Sequence, residues 1–243
     1  MLLPGRGCPE APLLCIEDQI FSRTIFSARR LFLFISSGRS TIMQRAVLEE
    51  TRSELRRAVL KRRSTLSPKA CQTWSVAIQA KVLELPQYLD ARSIALYCAM
   101  GKEVETLAIM NHAWGQQKKV FCPESADHPP VFVQVFPALN LSLPLDGAEP
   151  QGAVLTPEES HGAVVLVPGV VFDMHGNRLG RGGGWYDRAL AWYENRAVVI
   201  GLAYELQVVD RVPAQLWDKR VHYVITESRV IDCGVMAQEQ IAR

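Results

Sequence analysis

Apolar and polar residues recur along this chain with two different periods. Over 44–60, Val47, Leu48, Leu55 and Val59 fall at helical spacing, with glutamates early and arginines late, which suits the dipole of an amphipathic helix. A second helix is predicted over 67–85, because Ser67 can accept from first-turn N–H groups and Pro68 fits the first helical position. Together they make a helical hairpin. After Pro86 the pattern changes to short runs rich in branched residues, at 93–99, 118–123, 131–136, 163–168, 196–204 and 220–226, which read as strands. Helices are expected between several of these, at 106–116 and 185–194. Strand alternating with helix predicts an α/β fold, a mostly parallel open sheet with helices on both faces. The segment 137–160, rich in Pro, Gly and acids, has little regular pattern and reads as a long connection of the functional kind.

Length and composition refine this picture. At 243 residues and 48% hydrophobic, the chain can bury one substantial core, expected as a single domain over 43–243. Residues 1–42 stand apart: Pro4, Pro9 and Pro12 precede the acid-free FSRTIFSARRLFLFISSGRS. Arg, Ser and aromatic residues without acids resemble an organelle transit peptide; the other reading is an upstream extension, with Met43 as a natural beginning. Either way this segment is expected to be poorly ordered and without catalytic duty. No apolar run is long enough for a bilayer, so no membrane contact is expected, and the net charge of +2 calls for no nucleic-acid partner; a cytoplasmic monomer is the expectation. Cysteines at 8, 15, 71, 98, 122 and 233 form no CxxC pair, and read as reduced thiols rather than a disulfide framework or a sulfur metal site.

The stretch RLGRGGGWYDR, residues 178 to 188, carries the most chemistry. Glycines at 180, 182, 183 and 184 free the backbone to turn several N–H groups into one concavity, an anion cradle, with Arg178 and Arg181 adding charge at its rim. Trp185, Tyr186, Asp187 and Arg188 read as a helix start, whose dipole also favours a phosphate. The spacing is not that of a dinucleotide fingerprint, since the sixth residue from Gly180 is Trp185, nor of a Walker loop, which needs Lys and then Ser or Thr after the last glycine. Three further groupings stand out: Arg52 and Arg56, four apart on the first helix; MGKEVET (100–106) directly after a strand, where ligands sit in open parallel sheets; and LWDKRVHYVIT (216–226). Each has a structural alternative, a solvated basic face for the first and an acidic first helical turn for Glu103 and Glu105 in the second.

VPGVVFDMHGNRLGRGGGWYDRAL resembles the signature of the 5-formyltetrahydrofolate cyclo-ligases, also called methenyltetrahydrofolate synthetases. The other three groupings fall in that family's order, covering about residues 45 to 230. The resemblance implies that Arg52, Arg56, Arg178, Leu179, Gly180, Arg181, Gly182, Gly183, Gly184, Trp185 and Tyr186 hold ATP. It also implies that Arg56, Cys98, Met100, Glu103, Arg181 and Trp185 meet the folate, that Asp187 and Asp218 contact magnesium, and that Arg181 and Tyr186 act in catalysis. The implied reaction is ATP-dependent cyclisation of 5-formyltetrahydrofolate, with or without a polyglutamate tail, to 5,10-methenyltetrahydrofolate, releasing ADP and phosphate. Phosphorylation of the formyl oxygen precedes attack by N10. The chain departs from the family at His222, where an acidic residue is expected, at Gly183, where some members carry lysine, and at Trp185, where tyrosine is commoner. Two rival readings remain: a ligand-binding protein that has lost catalysis, for which His222 is the support, and another ATP-dependent ligase or kinase on the same scaffold.

Overall fold

A computed structural model of the chain describes residues 41–124, 130–137, 152–193 and 196–234. The expected extension over 1–42 lies outside them except for its last two positions. The chain divides into two units, residues 1–53 and 54–243, and each is taken by itself. Of the first, the described part is the opening of helix α1 (Thr41–Ser64). This helix outruns its predicted end because Lys61, Arg62 and Arg63 fill its last turn, where positive charge meets the free carbonyls.

In the second unit, α2 (Pro68–Leu83) starts as its sequence dictates: the Ser67 side chain accepts from Ala70 N at 3.1 Å, and Pro68 sits in the first turn. A short α3 (Pro86–Asp90) follows, absent from the expected elements because five residues carry no periodicity. Then come β1 (Ser93–Ala95), α4 (Leu107–Gly115), β2 (Lys119–Pro123), β3 (Phe132–Val135), β4 (Val164–Val167), β5 (Val171–Asp173), β6 (Arg178–Leu179), α5 (Trp185–Tyr193), β7 (Val198–Leu202), β8 (Val208–Val209), β9 (Tyr223–Ile225) and β10 (Val230–Asp232).

Seven strands form one sheet in the order β10-β9-β7-β4-β1-β2-β3. The four inner pairings are parallel and the two at the edges antiparallel. Successive residues of β1 serve opposite faces, as the pleat requires. Ile94 joins a core with Ile78 and Val82 of α2 and Ile109 and Met110 of α4, while Ala95 joins a core with Ala189, Leu190 and Tyr193 of α5. Helices therefore cover both faces, as expected of an α/β fold.

Two details depart from the expected pattern. β1 stops at Ala95 because side chains take over the hydrogen bonding: Thr106 Oγ1 donates to Tyr97 O at 2.7 Å, and the Tyr97 hydroxyl donates to Val104 O at 2.8 Å. The apolar run 163–173 breaks at Pro168-Gly169 into β4 and β5, which belong to different sheets; the second is small and ordered β6-β5-β8. Phe172 of β5 packs so closely on Gly169 and Gly201 that a Cβ at either would lie 2.4 Å from its ring. Residues 138–151 of the expected long connection lie outside the described part, and its end pairs with β3 through Val133 and Val154.

Candidate active site

Two loops meet beyond the carboxyl end of β1. One is 96–106, which carries Met100 and Glu103; the other is the glycine loop between β6 and α5. Arg181 Nη2 donates to Glu103 Oε1 at 2.9 Å and to Met100 O at 3.4 Å, joining them. Glu103 is 9% exposed, and its second oxygen accepts from Met100 N at 3.0 Å. Each carboxylate oxygen can accept twice, so Glu103 keeps capacity for a ligand N–H.

The loop carbonyls are tied back by arginines. Arg56 Nε donates to Gly180 O at 3.1 Å, and Arg188 Nη1 to Gly183 O at 2.9 Å. Its N–H groups are left over: from Arg181 through Asp187, none meets an acceptor among the described residues. Gly182 (φ 114°) and Gly184 (φ 63°) take the left-handed backbone that a side chain resists. Gly183 does not, and a Cβ there meets nothing within 4 Å, so the lysine found here in some members of the family it resembles would fit. N–H groups left over at the start of α5, with the helix dipole behind them, are chemically suited to an anion.

Arg178 is not at the rim, as expected, but beneath the loop. β6 pairs with β5 at Phe172, which turns Arg178 inward to 3% exposure. Its Nη2 donates to Asp187 Oδ1 at 2.9 Å, and its guanidinium lies 5.6 Å from the Tyr186 ring centre. Leu179 is buried too, packed with Val170 and Val171, and its backbone oxygen accepts from Val170 N at 2.7 Å.

Asp187 Oδ1 also accepts from Lys219 N at 3.1 Å, which brings the turn around Asp218 beside it. Asp218 closes that turn by accepting from Gln215 N at 2.8 Å. No group of three or more His, Cys, Asp or Glu gathers among the described residues. Magnesium, however, takes only one or two carboxylates besides water and phosphate oxygens, and two aspartates on adjoining turns suit it.

The aromatic wall follows. The Trp185 ring stands edge-on to Phe132 at 5.3 Å and to Tyr186 at 4.7 Å. Burial first, then the Glu103 charge, pushes the Tyr186 hydroxyl well above its ordinary pKa, so it remains a neutral phenol. Met100 is 56% exposed, and Cys98 is exposed as well.

Arg63, which no motif marks in the sequence, is a neighbour. It is 6% exposed, donates to Gly169 O at 3.4 Å, and feels the charges of Glu103 and Arg181; burial lowers its pKa from the ordinary arginine value. Its position seven residues after Arg56 was the available signal, since that spacing keeps a residue on one helix face. Arg52, in the other unit, is itself buried and lies 3.6 Å from Glu49.

His222 is a core residue. It is 3% exposed, and its Nδ1 accepts from Val199 N at 2.9 Å across the sheet. Burial lowers its pKa below 6.5. In that position it gives no support to the lost-catalysis reading.

Fold and site together define an α/β protein whose glycine loop, with N–H groups suited to an anion, lies beside the carboxyl ends of parallel strands. Residues 48–227 match the profile of the 5-formyltetrahydrofolate cyclo-ligase family, and the chain belongs to that family. A 5-formyltetrahydrofolate cyclo-ligase of Haemophilus influenzae is 31% identical over 177 residues, 70% of this chain and 94% of the relative. The mitochondrial 5-formyltetrahydrofolate cyclo-ligase of Arabidopsis thaliana is 27% identical over 216 residues, 77% of this chain and 78% of the relative. The NMR structure of Aquifex aeolicus 5,10-methenyltetrahydrofolate synthetase superimposes with a TM-score of 0.65 at 30% identity, over 76% of this chain and 94% of that one. No helix among the described residues is long and apolar enough to cross a membrane.

Proposed function

We propose that this chain catalyses the ATP- and magnesium-dependent cyclisation of 5-formyltetrahydrofolate to 5,10-methenyltetrahydrofolate, releasing ADP and phosphate. The observation that supports this reading best is the row of N–H groups from Arg181 through Asp187 without acceptors among the described residues, set against the Arg181–Glu103 contact. A phosphate cradle and a carboxylate share one wall.

A formamide oxygen is a poor leaving group. Transfer of the γ-phosphoryl group onto it gives an imidate phosphate, which N10 attacks as phosphate leaves. For phosphoryl transfer a protein supplies mainly position and charge neutralisation. The N–H groups of the loop, Gly180 to Gly184 with Trp185 and Tyr186, hold the phosphates, and Arg181, half exposed at the rim, neutralises charge on the moving group. Arg56 fixes the loop through Gly180 O, and the family resemblance gives it contacts with both ATP and the folate. The family resemblance gives Arg52 a contact with ATP as well. Arg178 serves by holding Asp187, and Leu179 by its backbone. Asp187 and Asp218 would hold magnesium, which when bound adds positive charge to the phosphates.

Glu103 accepts from pterin N–H groups, while Cys98, Met100 and Trp185 give the ring system apolar contact. Tyr186, neutral and packed on Trp185, bounds the reacting groups. Attack by N10 relies on proximity, since effective molarities of intramolecular reactions are large. The enzyme works as a cytoplasmic monomer on this small molecule. Its test is turnover: protein with magnesium-ATP and 5-formyltetrahydrofolate should generate the near-ultraviolet absorbance of the methenyl product. Ligand binding without product would favour the lost-catalysis reading, and neither would favour another acceptor.

A further inference from the structure

Cys98 and Cys122 are far apart in sequence but adjacent in the fold. β1 and β2 are parallel neighbours with Ala95 opposite Phe121, and Leu96 N donates to Phe121 O at 2.9 Å. Cys122 follows on β2, and Cys98 lies just past the end of β1. This brings the Cys98 and Cys122 side chains within reach of one another. Cys98 is exposed and Cys122 is 8% exposed, so one sulfur faces solvent and the other the interior. Both lie close enough to Tyr186 for their charges to act on its hydroxyl.

We propose that Cys98 and Cys122 form a reversible disulfide in exchange with a small-molecule disulfide, and that the bond pulls the 96–106 loop out of its ligand-binding position. The Cys98 thiolate attacks the small disulfide and expels one thiolate; Cys122, after losing its proton to solvent, attacks the Cys98 sulfur and expels the second. Two protein thiols and one disulfide thus become one protein disulfide and two small thiols. The two sulfurs must approach to about 2.05 Å to bond. Cys122 is held in β2, whereas residues 96–106 have no regular secondary structure, so the loop moves. Met100 and Glu103 move with it. The consequence for turnover rests on the reading that this loop holds the folate; the bond and the loop movement do not.

The test uses the full chain, equilibrated with oxidised glutathione or with dithiothreitol. Non-reducing peptide mass mapping should find a peptide pair linked through Cys98 and Cys122, two hydrogens lighter than the reduced pair. Hydrogen exchange over 97–106 should differ between the two forms, and turnover should fall at least tenfold on oxidation and return with dithiothreitol. Cys122→Val, checked for an unchanged melting temperature, should keep its turnover and lose the oxidation response. Absence of the linked pair overturns the proposal, as does an unchanged exchange pattern or equal inactivation of Cys122→Val. A reduced protein that forms the bond and shifts its exchange, but never makes methenyl product, contradicts the proposed reaction and not the thiol pair.

Discussion

Arg181 and Glu103, 78 positions apart in sequence, meet at 2.9 Å and join the glycine loop to the loop that follows β1. Arg181 is half exposed, so the pair contributes about 0–1 kcal/mol to stability. Its value lies in position. Glu103→Gln should leave the melting temperature within a few degrees of the parent, the shift that so small a loss produces in a domain of this size. It should lower kcat/KM for 5-formyltetrahydrofolate about tenfold or more, equivalent to ~1.4 kcal/mol of lost transition-state stabilisation. Unchanged kcat/KM would remove Glu103 from the substrate site.

Asp187 has two duties, one toward magnesium in the proposed reaction and one toward buried Arg178. Asp187→Ala removes that charged hydrogen bond to the guanidinium, at a cost of about 1.5–3 kcal/mol, whereas Asp187→Asn keeps an oxygen for it. Thermal unfolding should therefore separate the two variants, with Asn the more stable. Both should lose at least about a hundredfold in turnover. Near-parental turnover in a folded Asp187→Asn protein would contradict the metal role.

His222 is buried neutral, with a folded-state pKa lowered below 6.5 by loss of solvent. The unfolded chain then binds the proton more readily, so stability is fully present above about pH 6.5 and falls as pH drops toward the lowered value. His222→Asn, which can still accept from Val199 N, should flatten that limb of the melting-temperature profile. An unchanged profile would mean that other groups set it.

Gly201 should tolerate no side chain, because its Cβ would lie 2.4 Å from the Phe172 ring. Overpacking of this kind costs about 1–3 kcal/mol, so Gly201→Ala should lower the denaturation midpoint by a corresponding amount. Gly183→Ala has open space and an ordinary φ, and should be neutral in stability.

What could be read from residues alone depended on the range of the forces involved. The Ser67 cap and the burial of 163–167 are local matters of hydrogen bonding and apolar runs, and both appear where expected. β5, β6 and β8 are two or three residues long, too short for periodicity, and they form through pairings that local pattern does not show, Phe172 with Arg178 and with Val208. The left-handed turns that Gly182 and Gly184 take in the glycine loop were legible from composition. That Arg181 faces outward and Arg178 inward was not, since β-pairing at Phe172 decides it. His222 stood out in sequence as a departure from the family, but its place in the core follows from the pairing of β7 and β9, which no local pattern reveals.

The proposed reaction makes one chemical commitment that a single measurement reaches: the formyl oxygen leaves as part of the phosphate. Substrate carrying oxygen-18 in the formyl group, incubated with the protein and magnesium-ATP in ordinary water, should yield methenyl product together with inorganic phosphate containing one oxygen-18 for each turnover. Unlabelled phosphate alongside product, or phosphate released with no product at all, would contradict transfer of the phosphoryl group onto the formyl oxygen.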